Sequence, residues 1–430
     1  MLKKISFGFL AHGFSIFIEA LTAIVSIPLL LKYYSDSITG IWLFFLAFNG
    51  LILLGQCGLA PITARYVAKI KVSKSDDDAK IFWSTFSYLY KAATFFVFLI
   101  CLIIYWVFIH STLSSESFIQ QGSICWVLLS ISYCIRVYFI KYLHILNGLG
   151  EVGWDKVSQI LLSLTNIIGL YAVLINGLNF YYLGAVYLIS SLLSSILIVK
   201  VFGFLNKTIS IVKTQIDRKF IYKIIRQCSK ILFLNTASYI ILQSSVILIT
   251  RFLSPSSVPY YSALLKITFF IMALGGIVTQ LLYPFISQAF HNGNTSKVKK
   301  LFYANIGLTN AIVLACGITV FLLGDWILEL WLGKDAYLGN MIFGSILLHM
   351  FIYVNGTAFT NSVIATGGNY FTLPTLCSVL LTIPLSIFGI VHFGLIGLVV
   401  GNLVGIIPTF YSIIWSILYI SKIDKSSTEK

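Results

Sequence analysis

Long apolar runs alternate with short polar interruptions from one end of the chain to the other. The runs are apolar on all sides and lack the one-sided stripe, repeating every 3.6 residues, of a soluble amphipathic helix. About 20 apolar residues suffice for a helix to cross a bilayer, where each backbone polar group must find its partner inside the segment. Twelve such spans are predicted, at about 9–31, 40–64, 84–110, 122–146, 157–177, 181–203, 230–250, 258–288, 301–324, 339–364, 371–391 and 394–420. The fold class that follows is an all-α polytopic membrane protein. Composition agrees, with 58% hydrophobic and 10% charged residues, where soluble domains carry about a quarter charged. The first run is too long for a removable signal peptide and lacks a small-residue cleavage site.

Charge orients the spans. With the N-terminus inside, cytoplasmic segments hold 22 of the 29 Lys and Arg, eight of them between Lys200 and Lys230. The external side then keeps Lys32, Arg251 and Lys334. Basic residues favour the cytoplasmic side, so both termini are expected there. The net charge of +15 is mostly this topology signal and does not imply nucleic acid as a partner. All loops are short, which argues against an integral polymerase or acyltransferase, because such enzymes need an extramembrane catalytic surface. No catalytic cluster or metal-spaced set is present, and the seven cysteines read as small buried hydrophobes. A non-enzymatic protein that works between its helices is expected, with no cofactor beyond a coupling H⁺ or Na⁺.

The halves echo one another. "LLKYYSDSITGIW" (30–42) is answered 219 residues later by "ITRFLSPSSVPYY" (249–261). Downstream, Pro61 precedes "KIFW" (80–83) by 19 residues, and Pro284 precedes "KLFY" (300–303) by 16. A parallel repeat of two six-helix lobes is expected, residues 1–210 (spans 1–6) and 211–430 (spans 7–12), the second ending in a short basic tail. Secondary transporters are commonly built in this way, with the site near mid-membrane at the repeat interface.

The run "LLKYYSDSITGIWLFFLAFNGLILLGQCGLAPITARYVAK" resembles the first hairpin of polysaccharide-type flippases in the MATE/oligosaccharidyl-lipid/polysaccharide exporter superfamily. The shared pattern is Pro28 late in the first helix, a short external turn, Gly40 and Trp42, then Gly58 and Leu59 before a base, Arg65. "ITRFLSPSSVPYYSALLKI" and "YPFISQAF" resemble that family's seventh and eighth helices, through Tyr261, Ser262, Lys266 and Pro284. The resemblance implies a flippase for O-antigen or capsule repeat units carried on undecaprenyl pyrophosphate. It implies alternating access by two lobes in a bacterial cytoplasmic (inner) membrane. Membrane lipids, and a polysaccharide polymerase or glycosyltransferases, would be its partners. A multidrug or cation exporter of the same superfamily is the alternative.

Ionisable groups within spans are functional candidates, because they are costly unless they face a partner or a wet cavity. In span 1, His12, Ser15, Glu19, Thr22 and Ser26 recur every three or four residues and share one helical stripe. Glu19 is the only carboxylate that the sequence places deep in a span, and it is the ion-coupling candidate together with His12. It could alternatively be a structural partner of a Lys or Arg. In span 4, His144 lies about 80° and Lys141 about 140° around the helix from Arg136, which reads as one broad polar arc. Lys266 enters from span 8. Cations facing one cavity from both lobes would suit a pyrophosphate or an acidic sugar, Arg binding it bidentately. Lys141 and Lys91 also fit snorkelling to the cytoplasmic interface. Asn235 and Gln243 of span 7 could touch sugar hydroxyls or join helices.

Overall fold

The computed structural model describes residues 2–73, 76–113, 116–151, 153–206, 218–333, 336–368 and 371–422. Lys334, most of the basic tail and the expected lobe boundary at 210/211 lie outside them. No strand occurs among the described residues. Ten helical stretches are each long and apolar enough for one crossing: Leu10–Tyr33, Asp36–Lys71, Asp77–Thr112, Phe118–Leu149, Gly153–Ile175, Tyr181–Leu205, Lys219–Phe252, Pro255–His291, Thr295–Leu332 and Asn340–Ile364. These are spans 1 to 10.

The last apolar stretch, Thr372–Lys422, has 51 residues. As one straight helix it would reach about 76 Å, more than twice the ~30 Å hydrocarbon core. It folds back at Gly394, whose φ of 64° and ψ of −144° are open to glycine at little cost. The two arms touch backbone to backbone: a Cβ on Gly389 would lie 2.1 Å from the Gly397 carbonyl oxygen. The stretch is therefore a hairpin of spans 11 (372–393) and 12 (395–422), and the described residues make twelve crossings, as the apolar runs predict.

The chain forms two compact units. The first comprises Met1–Tyr34 and Phe45–Thr236, and the second Ser35–Phe44 and Ala237–Lys430. In the first, span 4 packs against spans 2, 3 and 6, while span 1 packs on span 5. Small polar residues join the helices, as is common in membranes. Ser132 and Ser191 are 2.6 Å apart, and Ser158 and Ser194 2.7 Å. The basic end of this unit is closed by Val67, Phe82, Leu146 and Phe202, joined by Ile224 and Cys228 from the start of span 7. There Arg65 donates to Gln227 Oε1 at 2.6 Å.

In the second unit, Asn402 of span 12 ties three helices together. It accepts from Ser386 at 2.8 Å and donates to Ser245 at 2.9 Å. Asn305 of span 9 accepts from Thr279 at 3.1 Å and donates to Ser362 at 2.9 Å. The segment Ser35–Phe44 belongs here although its chain neighbours on both sides do not. Tyr260 donates to Asp36 at 2.8 Å, and Gly40 sits so close to the Pro255 carbonyl that a Cβ would come within 1.7 Å of its oxygen. The two echoing stretches of sequence thus meet each other.

Candidate functional site

Span 2 is broken partway across. Helix Asp36–Ala47 passes through a 3₁₀ turn, Phe48–Gly50, into Leu51–Gly55, and helix Leu59–Ser73 follows after a gap. In the gap Cys57 has φ 49° and Gly58 φ 71°, so a non-glycine residue is held in the left-handed region. Irregular backbone at membrane depth persists only where protein buries it or a wet cavity receives it, and transporters place binding sites at such breaks. Span 8, the expected counterpart of span 2, continues unbroken as Val258–His291.

Asn49, in the 3₁₀ turn, accepts a long hydrogen bond of 3.5 Å from Arg136 Nη1 of span 4. A guanidinium carries five N–H donors, and this one is half-buried with no carboxylate at ion-pair distance among the described residues. Tyr133, Tyr187 and Asp155 act on its charge through space. Asp155 stands in the first turn of span 5 and interacts electrostatically with Lys156, Glu19, Arg136 and His12. Glu19 is exposed within span 1 and accepts from Ser15 Oγ at 2.7 Å. Two carboxylates, an arginine, a lysine and a histidine therefore share one region of the first unit.

Of the residues singled out in the sequence, His12, Glu19 and Arg136 each interact electrostatically with Asp155. By sequence Asp155 falls in the short loop between spans 4 and 5, before the expected span start at about 157. The structure puts it instead in the first turn of the helix, where an acid is the ordinary complement to the helix dipole. What would have exposed it is the pairing of spans 1 and 5, which brings Phe7 to 5.8 Å from Trp154 and sets that turn beside His12.

Lys141 and His144 point elsewhere. The Lys141 ammonium lies 4.0 Å from the ring centre of Tyr138, 5.1 Å from that of Tyr142 and 5.6 Å from that of Trp83. His144 is buried and its Nδ1 hydrogen-bonds Tyr90 Oη, which in turn meets Thr63 Oγ1 at 3.1 Å. The three polar residues of span 4 therefore serve three separate environments instead of one arc. In span 7, Asn235 is half-buried in the first unit and Gln243 half-buried in the second. Lys266 is half-buried in the second unit, one turn beyond the buried pair Tyr261 and Ser262. Among the described residues no three His, Cys, Asp or Glu side chains gather with metal-ligand geometry, and all seven cysteines are free.

No protein-family model matches the chain, and no curated protein does. Solved structures do. The chain superposes on a lipid II flippase, MurJ, in an inward closed conformation with a TM-score of 0.76 at 16% identity, covering 99% of this chain and 91% of that one. An inward-facing multidrug resistance MATE family transporter of the MOP superfamily gives 0.74 at 16% identity, with 96% of each chain covered. A MATE protein in a bent conformation gives 0.66 at 15% identity, covering 96% and 94%. At such identities the likeness speaks for the fold, and over nearly its whole length this chain has the polytopic helical fold of the MATE transporters and MurJ.

Proposed function

We propose that the protein is a flippase that moves a lipid-linked oligosaccharide, carried on a polyprenyl pyrophosphate such as undecaprenyl pyrophosphate, across a bacterial cytoplasmic membrane by alternating access. Arg136 carries this reading. Its guanidinium, inside the membrane, has one long bond to a neutral amide and further donors to offer, which is what a bidentate phosphate ligand requires. Lys266 adds a second cation within the spans, so the substrate it suits is an anion. The likeness to a lipid II flippase is consistent with a cargo built on a lipid anchor. Glu19 and Asp155, which interact with each other electrostatically, would exchange a proton or hold Na⁺, with His12 nearby, and so couple the cycle to an ion gradient. Glycosyltransferase partners would act before the flip and a polymerase after it.

A second reading, export of organic cations, draws on one observation. Asp155 interacts electrostatically with a second carboxylate, Glu19, and their two charges would balance Arg136 and Lys156. The experiment that separates the readings is analysis of lipids in cells lacking the gene, in a background without a redundant flippase. Pyrophosphate-linked repeat units confined to the cytoplasmic leaflet are expected. Normal surface polysaccharide combined with heightened sensitivity to cationic dyes would replace the flippase reading with the exporter.

A further inference from the structure

Where spans 3 and 4 pack together, their outer faces form an apolar groove of about 790 Å³. Its walls are Phe98, Leu102 and Trp106 on one helix and Val127, Ile131 and Phe139 on the other, and most of these side chains are exposed. From Thr94 to Trp106 it runs 12 residues, about 18 Å of helix, which exceeds half of a ~30 Å hydrocarbon core. At one end Tyr105 and Ser123 share a hydrogen bond of 3.1 Å, and the Trp126 indole donates to the Cys101 carbonyl at 3.2 Å. With that carbonyl engaged, the helix passes into a π turn at Tyr105–Ile109. Such turns interrupt helices mostly at functional positions.

The opposite end is cationic. The stripe Phe98–Thr94 on span 3 continues one turn on to Lys91, and the stripe Ile135–Tyr138 on span 4 continues to Lys141. The two ammonium groups repel each other, and neither has a carboxylate partner among the described residues. Lys141 is held in place by three aromatic rings, whereas Lys91 is exposed. Tyr138 belongs to both features, lining the groove and lying under the Lys141 ammonium. By the charge pattern of the chain this is the cytoplasmic half of the membrane. A fixed buried cation behind an exposed one, at the end of a long apolar groove, calls for an anion joined to a hydrocarbon chain.

We infer that this face binds one anionic phospholipid of the cytoplasmic leaflet. Its phosphate sits at Lys91 in the field of Lys141, and one acyl chain lies in the groove between spans 3 and 4. The site is independent of whatever the protein transports. Native mass spectrometry on the full-length protein tests it, using phosphatidylglycerol and phosphatidylcholine with the same acyl chains in equal amounts. The wild type is expected to retain one phosphatidylglycerol in preference to phosphatidylcholine. Lys91→Gln and Lys141→Gln should each reduce that preference about fivefold, the worth of one membrane-surface base. Ile131→Trp, which fills the groove without touching either charge, should abolish retention. Should Lys141→Gln fail to fold, Lys91→Gln at the exposed position decides alone. Equal retention of the two lipids by the wild type, or a preference unaltered by Lys91→Gln, would overturn the inference. In a parallel arm, a polyprenyl phosphate that displaces the phosphatidylglycerol and loses affinity in Ile131→Trp would reassign the groove to a carrier lipid.

Discussion

Replacing Arg136 separates its place in the fold from its place in transport. Within the protein its guanidinium makes one hydrogen bond, of 3.5 Å, to Asn49. Losing it costs about 0.5–1.5 kcal/mol at most, offset by no longer desolvating a charge. Arg136→Gln should therefore melt close to the wild type. A bidentate phosphate contact is different, because each charge-assisted hydrogen bond contributes about 1.5–3 kcal/mol. Losing both should lower flux by about two orders of magnitude or more, since 1.4 kcal/mol corresponds to tenfold. Arg136→Lys keeps the charge and loses the fork, so it should fall between, roughly 10–100-fold down. The assay is flux of a lipid-linked oligosaccharide in proteoliposomes, at substrate well below saturation, beside a melting curve for each variant. Wild-type flux in Arg136→Lys would remove the bidentate contact from the mechanism. A melting temperature that drops in step with flux would make Arg136 a structural residue.

Glu19→Gln and Asp155→Asn are each expected to uncouple flux from the imposed ion gradient while leaving expression intact, and gradient dependence unchanged in both would return the pair to a packing role. Tyr90→Phe breaks the buried chain from Thr63 through Tyr90 to His144 and leaves two polar groups without their partner. At about 1–3 kcal/mol for each orphaned group, a lower melting temperature with near-normal flux per folded molecule is expected. Gly389→Ala should destabilise more than an alanine replacement at the open Gly276, because its Cβ would meet the Gly397 backbone and the neighbour of Gly276 is empty space. Thermal melts of the two variants side by side check this.

Apolar patterning revealed the spans because lipid imposes one rule on every crossing helix, whatever its neighbours. The sharp turn at Gly394 was legible for the same reason: 51 residues are too many for one passage. The site was legible in part. Glu19 and Arg136 stand out because charge inside an apolar run is conspicuous. Asp155 does not, since it sits at a helix start where acids are routine. The break in span 2 was also hidden, for "GQCG" reads as an unremarkable apolar interval until Cys57 is seen with positive φ. Around span 4, angle alone misled. Arg136, Lys141 and His144 lie within a wide arc of one helix, but Trp83, Tyr90 and Tyr138 decide which of them stay apart.

The segment Ser35–Phe44 bears on how the protein is made. Asp36 and the Tyr260 that donates to it are separated by 224 residues, a stretch that takes roughly 10–45 s to synthesise at about 5–20 residues per second. During that interval one piece of the second unit is already inserted while the helices it fits have yet to leave the ribosome. A fragment starting at Ala237 can therefore never regain the full set of native contacts alone, however long it is given. Biogenesis has a fixed order in which the first hairpin is laid down early and must wait for its partner.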